Sequence, residues 1–323
     1  MSKNSNPILV VSGEPKSVFF ELFFKTFKKF KKNPIVLIAS KKLLNDHLKL
    51  LNIKKPIRVL NDQKIIDYKI LNNKKINLVD VSLTYNSLNK IRVNNSNKYI
   101  EKCFKKAIEL LKKNEKLQLI NGPIIKKNFL GKKYKGITEY LGSKFKVVEK
   151  VVMLIYNKNL SVSPITTHVP LKDVYKIISK KRIVNHIEKI HKFYKKRFNK
   201  KPSFAITGFN PHCESNLGLS EEDKIIKPAI KYLLKKRFDV SGPFPADTIF
   251  LKKNIKKYDV IIGMYHDQVL TPLKTIYEFD AINITLGLPF LRVSPDHGPN
   301  LSMLGKNESN PTSLIRSIEF LNK

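Results

Sequence analysis

Short apolar runs recur along the chain, separated by longer amphipathic stretches, and this alternation predicts its elements. Residues 7–12, Pro-Ile-Leu-Val-Val-Ser, read as a strand buried on both faces, and 34–39 repeat the pattern. Shorter runs at 57–60, 76–81 and 117–120 predict further strands. Between them, 18–31 and 98–113 space their apolar residues at helical intervals, as a helix with one buried face requires. The second half continues with strands predicted at 151–156, 204–207 and 260–263 and helices at 184–197 and 221–236. Strands alternating with helices in this order imply an α/β fold whose sheet is mostly parallel and joined by crossover helices.

The chain has 323 residues, more than one typical domain, so one large or two intimately joined α/β domains are expected. Its 42% apolar content supports a globular core in spite of the charge. Sixty-two basic residues face 26 acidic ones, a formal net charge of +36, a balance that raises nucleic acid or an anionic membrane as partner. Only seven of the basic residues are Arg, the better base reader, and the Lys are spread with Asn and Ile along the whole chain. No specific nucleic acid and no membrane partner are therefore expected. Cys103 and Cys213 are too few and too far apart for a disulfide framework, and the apolar run at 8–11 is too short for a signal peptide or a membrane span. A cytoplasmic location follows as the expectation.

No G-x-G-x-x-G follows any predicted strand, and Gly13-Glu14-Pro15 lacks the glycines that a standard pyrophosphate turn uses. Three of the seven histidines, His168, His212 and His266, stand in polar, turn-rich segments just after apolar runs. Taken singly, each is better read as a capping or core residue. As a set they suit zinc or another borderline divalent ion with positions left open for substrate. His47, His186 and His191 lie in Lys-rich helical stretches and read as surface residues. Asp247, after Ser241-Gly-Pro-Phe-Pro-Ala, reads equally as a helix cap or as a catalytic carboxylate. Asp267 is placed to orient His266, and Asp296-His297-Gly298 either lines a cofactor pocket or makes a turn. Lys274, Asn283 and Arg292 suggest a phosphate or carboxylate site, because Lys274 and Arg292 are the only Lys or Arg between 273 and 304.

These strings belong together. Asn210-Pro-His-Cys-Glu214, Gly242-Pro-Phe-Pro-Ala-Asp-Thr-Ile-Phe250, Met264-Tyr-His-Asp-Gln268, the run from Asn283 to Arg292, and Asp296-His-Gly298 resemble the 4-hydroxythreonine-4-phosphate dehydrogenases of pyridoxal phosphate biosynthesis. The likeness is densest from about 160 to 300 and continues more thinly through Gly13-Glu-Pro15, Gly122-Pro123 with Lys126, and Gly136-Ile-Thr-Glu139. The resemblance implies NAD(P)-dependent oxidation of 4-phosphooxy-L-threonine to 2-amino-3-oxo-4-phosphooxybutanoate, which decarboxylates to 3-amino-2-oxopropyl phosphate. It implies one divalent ion (Zn, Mg or Co) on His168, His212 and His266, shared across a homodimer interface, and substrate contacts from Thr138, Lys274, Asn283 and Arg292. NAD or NADP would bind without the glycine fingerprint, at residues the resemblance does not assign. Asp247 is the first candidate for the general base.

The implied fold is that of isocitrate and isopropylmalate dehydrogenases, two α/β/α subdomains around a cleft. The first subdomain is expected at 1–130 with 285–323, the second at 131–284 with most metal and substrate residues. The chain departs from the family pattern at Ile137, where a substrate-contacting histidine is expected, and at Lys16-Ser-Val-Phe-Phe20, which replaces a glycine-rich stretch.

Overall fold

The computed structural model describes residues 6–30, 32–66, 71–131, 133–134, 136–214 and 220–322. Lys31, the last residue of the first predicted helical stretch, lies outside them. The chain divides into two compact units, Met1–Tyr134 with Leu288–Lys323, and Lys135–Gly287.

The first unit holds β1 (Ile8–Val11), β2 (Ile35–Ala39), β3 (Ile57–Val59), β4 (Ile76–Asp80), β5 (Gln118–Asn121) and β12 (Arg292–Pro295). They run in the order β3-β4-β2-β1-β5-β12, and each pair is parallel. All four residues of β1 and nearly all of β2 are excluded from water, as their uninterrupted apolar runs require. The connections from β1 to β2 and on to β3 progress one way across the sheet, whereas those from β3 to β4 and on to β5 return. Right-handed crossovers therefore put the helices Phe19–Thr26 and Lys41–Leu50 on one face and Val93–Lys113 on the other. The last of these begins five residues before the predicted start, on a polar turn of Asn and Ser that carries no apolar period.

The second unit holds β6 (Val152–Tyr156), β7 (Ser161–Pro164), β8 (Phe204–Thr207), β9 (Val240–Phe244), β10 (Val260–Gly263) and β11 (Ile282–Leu286), in the order β11-β6-β7-β10-β8-β9. Only β6 runs against its neighbours. By the same handedness argument, Lys180–Phe198 and Lys227–Lys235 cover one face and His266–Tyr277 the other. The predicted helix at 221–236 is in fact a π-turn, Glu222–Ile226, followed by the α-helix. Pro228 has no N–H to give, so the ladder cannot run unbroken through it.

His47 and His186 correct the sequence expectation. They are 1% and 7% exposed, not surface residues. His47 stacks on Phe20 at 4.4 Å and shares a hydrogen bond with the Pro15 carbonyl at 2.9 Å, and His186 Nε2 lies 2.6 Å from Ser163 Oγ. His191 is half-buried against Phe238. Among the described residues no helix is long and apolar enough to cross a membrane.

Candidate active site at the ends of four parallel strands

Four neighbouring parallel strands of the second unit, β7, β10, β8 and β9, deliver one candidate side chain each just beyond their carboxyl ends. His168 follows β7 by four residues, His266 follows β10 by three, His212 follows β8 by five and Asp247 follows β9 by three. With roughly 4.8 Å between neighbouring strands, the ends of β7 and β8 lie roughly 10 Å apart. Chains leaving β7 and β10 turn to opposite faces of the sheet, and a crevice opens where adjacent connections part in this way.

His168 and His266 stand at that parting, their ring centroids 5.7 Å apart and tilted by 37°. His266 opens the helix His266–Tyr277, and its Nδ1 lies 2.7 Å from Asp267 Oδ1. Asp267 is 82% exposed, so the pair adds little to stability. Its consequence is chemical: a ring that donates from Nδ1 carries its lone pair on Nε2.

His212 is exposed on the 3₁₀ turn Pro211–Cys213 and is not part of the ring pair. It and Cys213 both adopt left-handed backbone, φ 55° and 61°, a conformation that side chains with a Cβ rarely hold without support. Glu222 anchors the residues that lead into this turn. Its buried carboxylate accepts from the N–H groups of Phe209 and Asn210, each at 2.7 Å, and from Asn210 Nδ2 at 2.9 Å. Burial alone would raise this carboxyl, but the hydrogen bonds from Asn210 and Phe209 more than offset it and hold the group below the usual carboxylate range.

The strand ends are tied to one another by side chains. Buried Gln268 accepts from Thr207 Oγ1 at 2.8 Å and from the Met264 N–H at 2.7 Å, and donates to the Gly208 carbonyl at 2.8 Å. Thr166 closes the other side, its hydroxyl donating to the Met264 carbonyl at 2.8 Å. The loops bearing His168, His266 and His212 are thus fixed by one network. Sequence reading missed Glu222, Thr166 and the role of Gln268; the available signal was a Gln two residues beyond His266 in an otherwise apolar helical stripe.

Among the described residues of the single chain, no three His, Cys, Asp or Glu side chains converge to hold a metal ion. Two imidazoles side by side are a donor set suited to a borderline divalent ion, so the residues fit such a group as part of its shell. Asp247 does not cap its helix: it is exposed in the first turn of Ala246–Ile249, where Pro245 takes the cap position. With Phe250, Tyr265, Asp267, Gln268 and Thr271 it lines an open cavity of about 620 Å³.

Thr138 is buried near the start of the helix Ile137–Lys144, its hydroxyl 3.1 Å from Thr285 Oγ1 on β11. Ile137, beside it, is 7% exposed and apolar. Asn283 also lies on β11, and its Oδ1 is buried and accepts no hydrogen bond from any described residue. Lys274 is exposed in the last turn of His266–Tyr277. Arg292 belongs to the first unit, where it is buried at the start of β12 and donates from Nε to Asn121 Oδ1 at 2.8 Å. In that unit, the turn after β1 is closed against the one after β5: the Glu14 N–H donates to the Pro123 carbonyl at 2.8 Å, and a Cβ on Gly13 would fall 2.3 Å from that oxygen.

Comparison with known proteins supplies the family. A 4-hydroxythreonine-4-phosphate dehydrogenase from Sulfurihydrogenibium sp. (strain YO3AOP1) is 37% identical over 323 residues, covering 97% of this chain and 96% of that one. A D-threonate 4-phosphate dehydrogenase from Pectobacterium atrosepticum is 34% identical over 222 residues, covering 68% of each. The crystal structure of the 4-hydroxythreonine-4-phosphate dehydrogenase from Klebsiella pneumoniae superposes with a TM-score of 0.79 at 27% identity, covering 98% of both chains. The family model described as pyridoxal phosphate biosynthetic protein PdxA matches residues 31–321, and this chain belongs to that family.

Proposed function

We propose that this chain oxidises 4-phosphooxy-L-threonine with NAD or NADP to 2-amino-3-oxo-4-phosphooxybutanoate, which loses CO₂ to give 3-amino-2-oxopropyl phosphate. It does so as a cytoplasmic homodimer with one divalent ion, Zn, Mg or Co, in each active site. The observation that carries the reading is the His168–His266 ring pair at the parting of β7 and β10. A divalent ion there supplies positive charge that lowers the pKa of a substrate hydroxyl, and the nicotinamide supplies a hydride acceptor. The protein does the rest. Asp247 takes the hydroxyl proton, Lys274 and Arg292 bind the anionic groups, Thr138 offers a hydroxyl, and Asn283 Oδ1 offers a buried acceptor that a substrate donor satisfies.

The third imidazole is His212, donated by the second copy of the chain. An exposed histidine on a braced left-handed turn, absent from the ring pair of its own chain, supports that assignment. Mixing two inactive variants tests it. In a mixed dimer of His266→Ala with His212→Ala, one site collects both substitutions and the other none. Random exchange should then restore about a quarter of wild-type reduced-nicotinamide formation. Activity that stays at the level of the separate variants would place all three ligands in one chain.

A second reading, oxidation of a phosphorylated hydroxy acid lacking the amino group, is favoured by Ile137 and by the name of the Pectobacterium relative. A lost hydrogen bond to a charged group costs about 1.5–3 kcal/mol, roughly a 10- to 150-fold change in kcat/KM. Steady-state comparison of 4-phosphooxy-L-threonine with D-threonate 4-phosphate decides between them. The first reading expects the amino acid to be preferred, and a tenfold preference for the threonate would establish the second.

A further inference from the structure

Glu139 stands in the first turn of the helix Ile137–Lys144, and its two carboxylate oxygens have different fates. Oε1 accepts from the Thr167 hydroxyl at 3.0 Å, and Thr167 directly precedes His168. Oε2 is buried and accepts no hydrogen bond from any described residue. Leaving such an oxygen without a donor is expensive, so a donor near it matters. A Cβ built on Gly136 would fall 2.8 Å from Glu139 Oε2 and 2.8 Å from both Nδ1 and Cε1 of His168. The carboxylate oxygen and the imidazole edge thus flank one small space, kept open by a glycine. The last torsion of a glutamate lies in a broad well, so the carboxylate is free to turn Oε2 toward the imidazole edge.

We propose that Glu139 is the positioning residue of His168: its Oε2 accepts the Nδ1–H and holds the ring's lone pair on Nε2, turned to a divalent ion. This rests on the reading of His168 as a metal ligand. The arrangement repeats on the β7 side what Asp267 does for His266 on the β10 side, with one physical difference. Asp267 is 82% exposed and shares its role with water, whereas the Glu139 oxygen is buried and has no solvent to compete. Glu139 should therefore matter more to metal affinity than Asp267 does. Thr167 is the strut that keeps the carboxylate facing the ring.

The test is zinc affinity of the intact protein, by competition with a chelator, for wild type, Glu139→Met, Glu139→Gln, Thr167→Val and His168→Ala. Removing an outer partner of a ligating histidine typically costs 10- to 100-fold in metal affinity, and that loss is expected for Glu139→Met. Glu139→Gln keeps an acceptor of the same length and should recover most of it, and Thr167→Val should fall between them. Wild-type zinc affinity in Glu139→Met, while His168→Ala loses zinc, overturns the role of Glu139 alone. Wild-type affinity in His168→Ala overturns the metal reading itself. Nitrogen NMR of the imidazoles, with His168 assigned by its loss in His168→Asn, needs no Glu139 variant to fold. The neutral ring must carry its hydrogen on Nδ1, and a hydrogen on Nε2 overturns the proposal.

Discussion

Replacing His266 by alanine should cut reduced-nicotinamide formation about a thousandfold while leaving the fold of the metal-free protein intact. The size follows from the charge at stake: a metal ion held there would contribute several kcal/mol to stabilising an oxyanion, and about 4 kcal/mol is a factor of about 10³ in rate. The selectivity follows from placement. The His266 side chain is 34% exposed, and among the described residues its ring hydrogen-bonds to the exposed Asp267, so its truncation removes no core packing. The unfolding free energy of the metal-free variant should stay within about 0.5 kcal/mol of wild type. Retained zinc by elemental analysis, turnover on 4-phosphooxy-L-threonine and a denaturant melt of the metal-free form are the three measurements. Turnover within tenfold of wild type would remove His266 from the metal shell. A melt that shifts as far as the turnover falls would make the residue structural.

How much of this was legible depended on what each segment buries. Strands β1 and β2 are uninterrupted apolar runs, and β8 and β10 are apolar up to their last residues, Thr207 and Gly263, because both faces of each are covered, and such runs are visible without any structure. Strand β7 was not visible. Its residues are Ser161, Val162, Ser163 and Pro164, and both serines are buried by pairing, Ser161 with the Tyr194 hydroxyl at 2.7 Å and Ser163 with His186. A strand whose buried positions are polar carries no hydrophobic signature, yet this one leads to His168.

The site divided along similar lines. Strand-end histidines could be singled out because polar motifs interrupt apolar runs there. Their mutual placement could not, because it depends on the strand order β7-β10-β8, which inserts a late strand between two early ones. Lys-rich composition also misled: His47 shares the buried stripe of Leu43, Leu44 and Leu48, and His186 sits beside Ile183 and Ile187. Helical spacing, weighed ahead of the neighbouring lysines, would have put both inside.

Those two buried histidines make the fold sensitive to acid well before its carboxylates protonate. Burial lowers the pKa of His47 to about 4, against the opposing pull of the Pro15 carbonyl, and lowers that of His186 to about 3, aided by repulsion from Lys189 and Arg182. Both folded values lie below the roughly 6.5 of an unfolded histidine. Above that pH neither state is charged and the residues contribute no pH dependence. Below it the unfolded chain takes up a proton that the native chain refuses, so stability falls with pH until the folded values are reached. At about 1.36 kcal/mol per pH unit, each histidine should remove about 2 kcal/mol between pH 6.5 and 5. Urea unfolding at pH 7 and pH 5 measures the total, and His47→Leu and His186→Leu isolate each share. Each variant is expected to lose about 2 kcal/mol less than wild type across that interval, whatever its stability at pH 7. The two contributions belong to different units, His47 to the first and His186 to the second, so transitions that separate in urea should each carry one of them. An unchanged pH slope in His186→Leu would mean that the ring is protonated in the native state, with Ser163 Oγ accepting from it, and that β7 is held by a charged hydrogen bond.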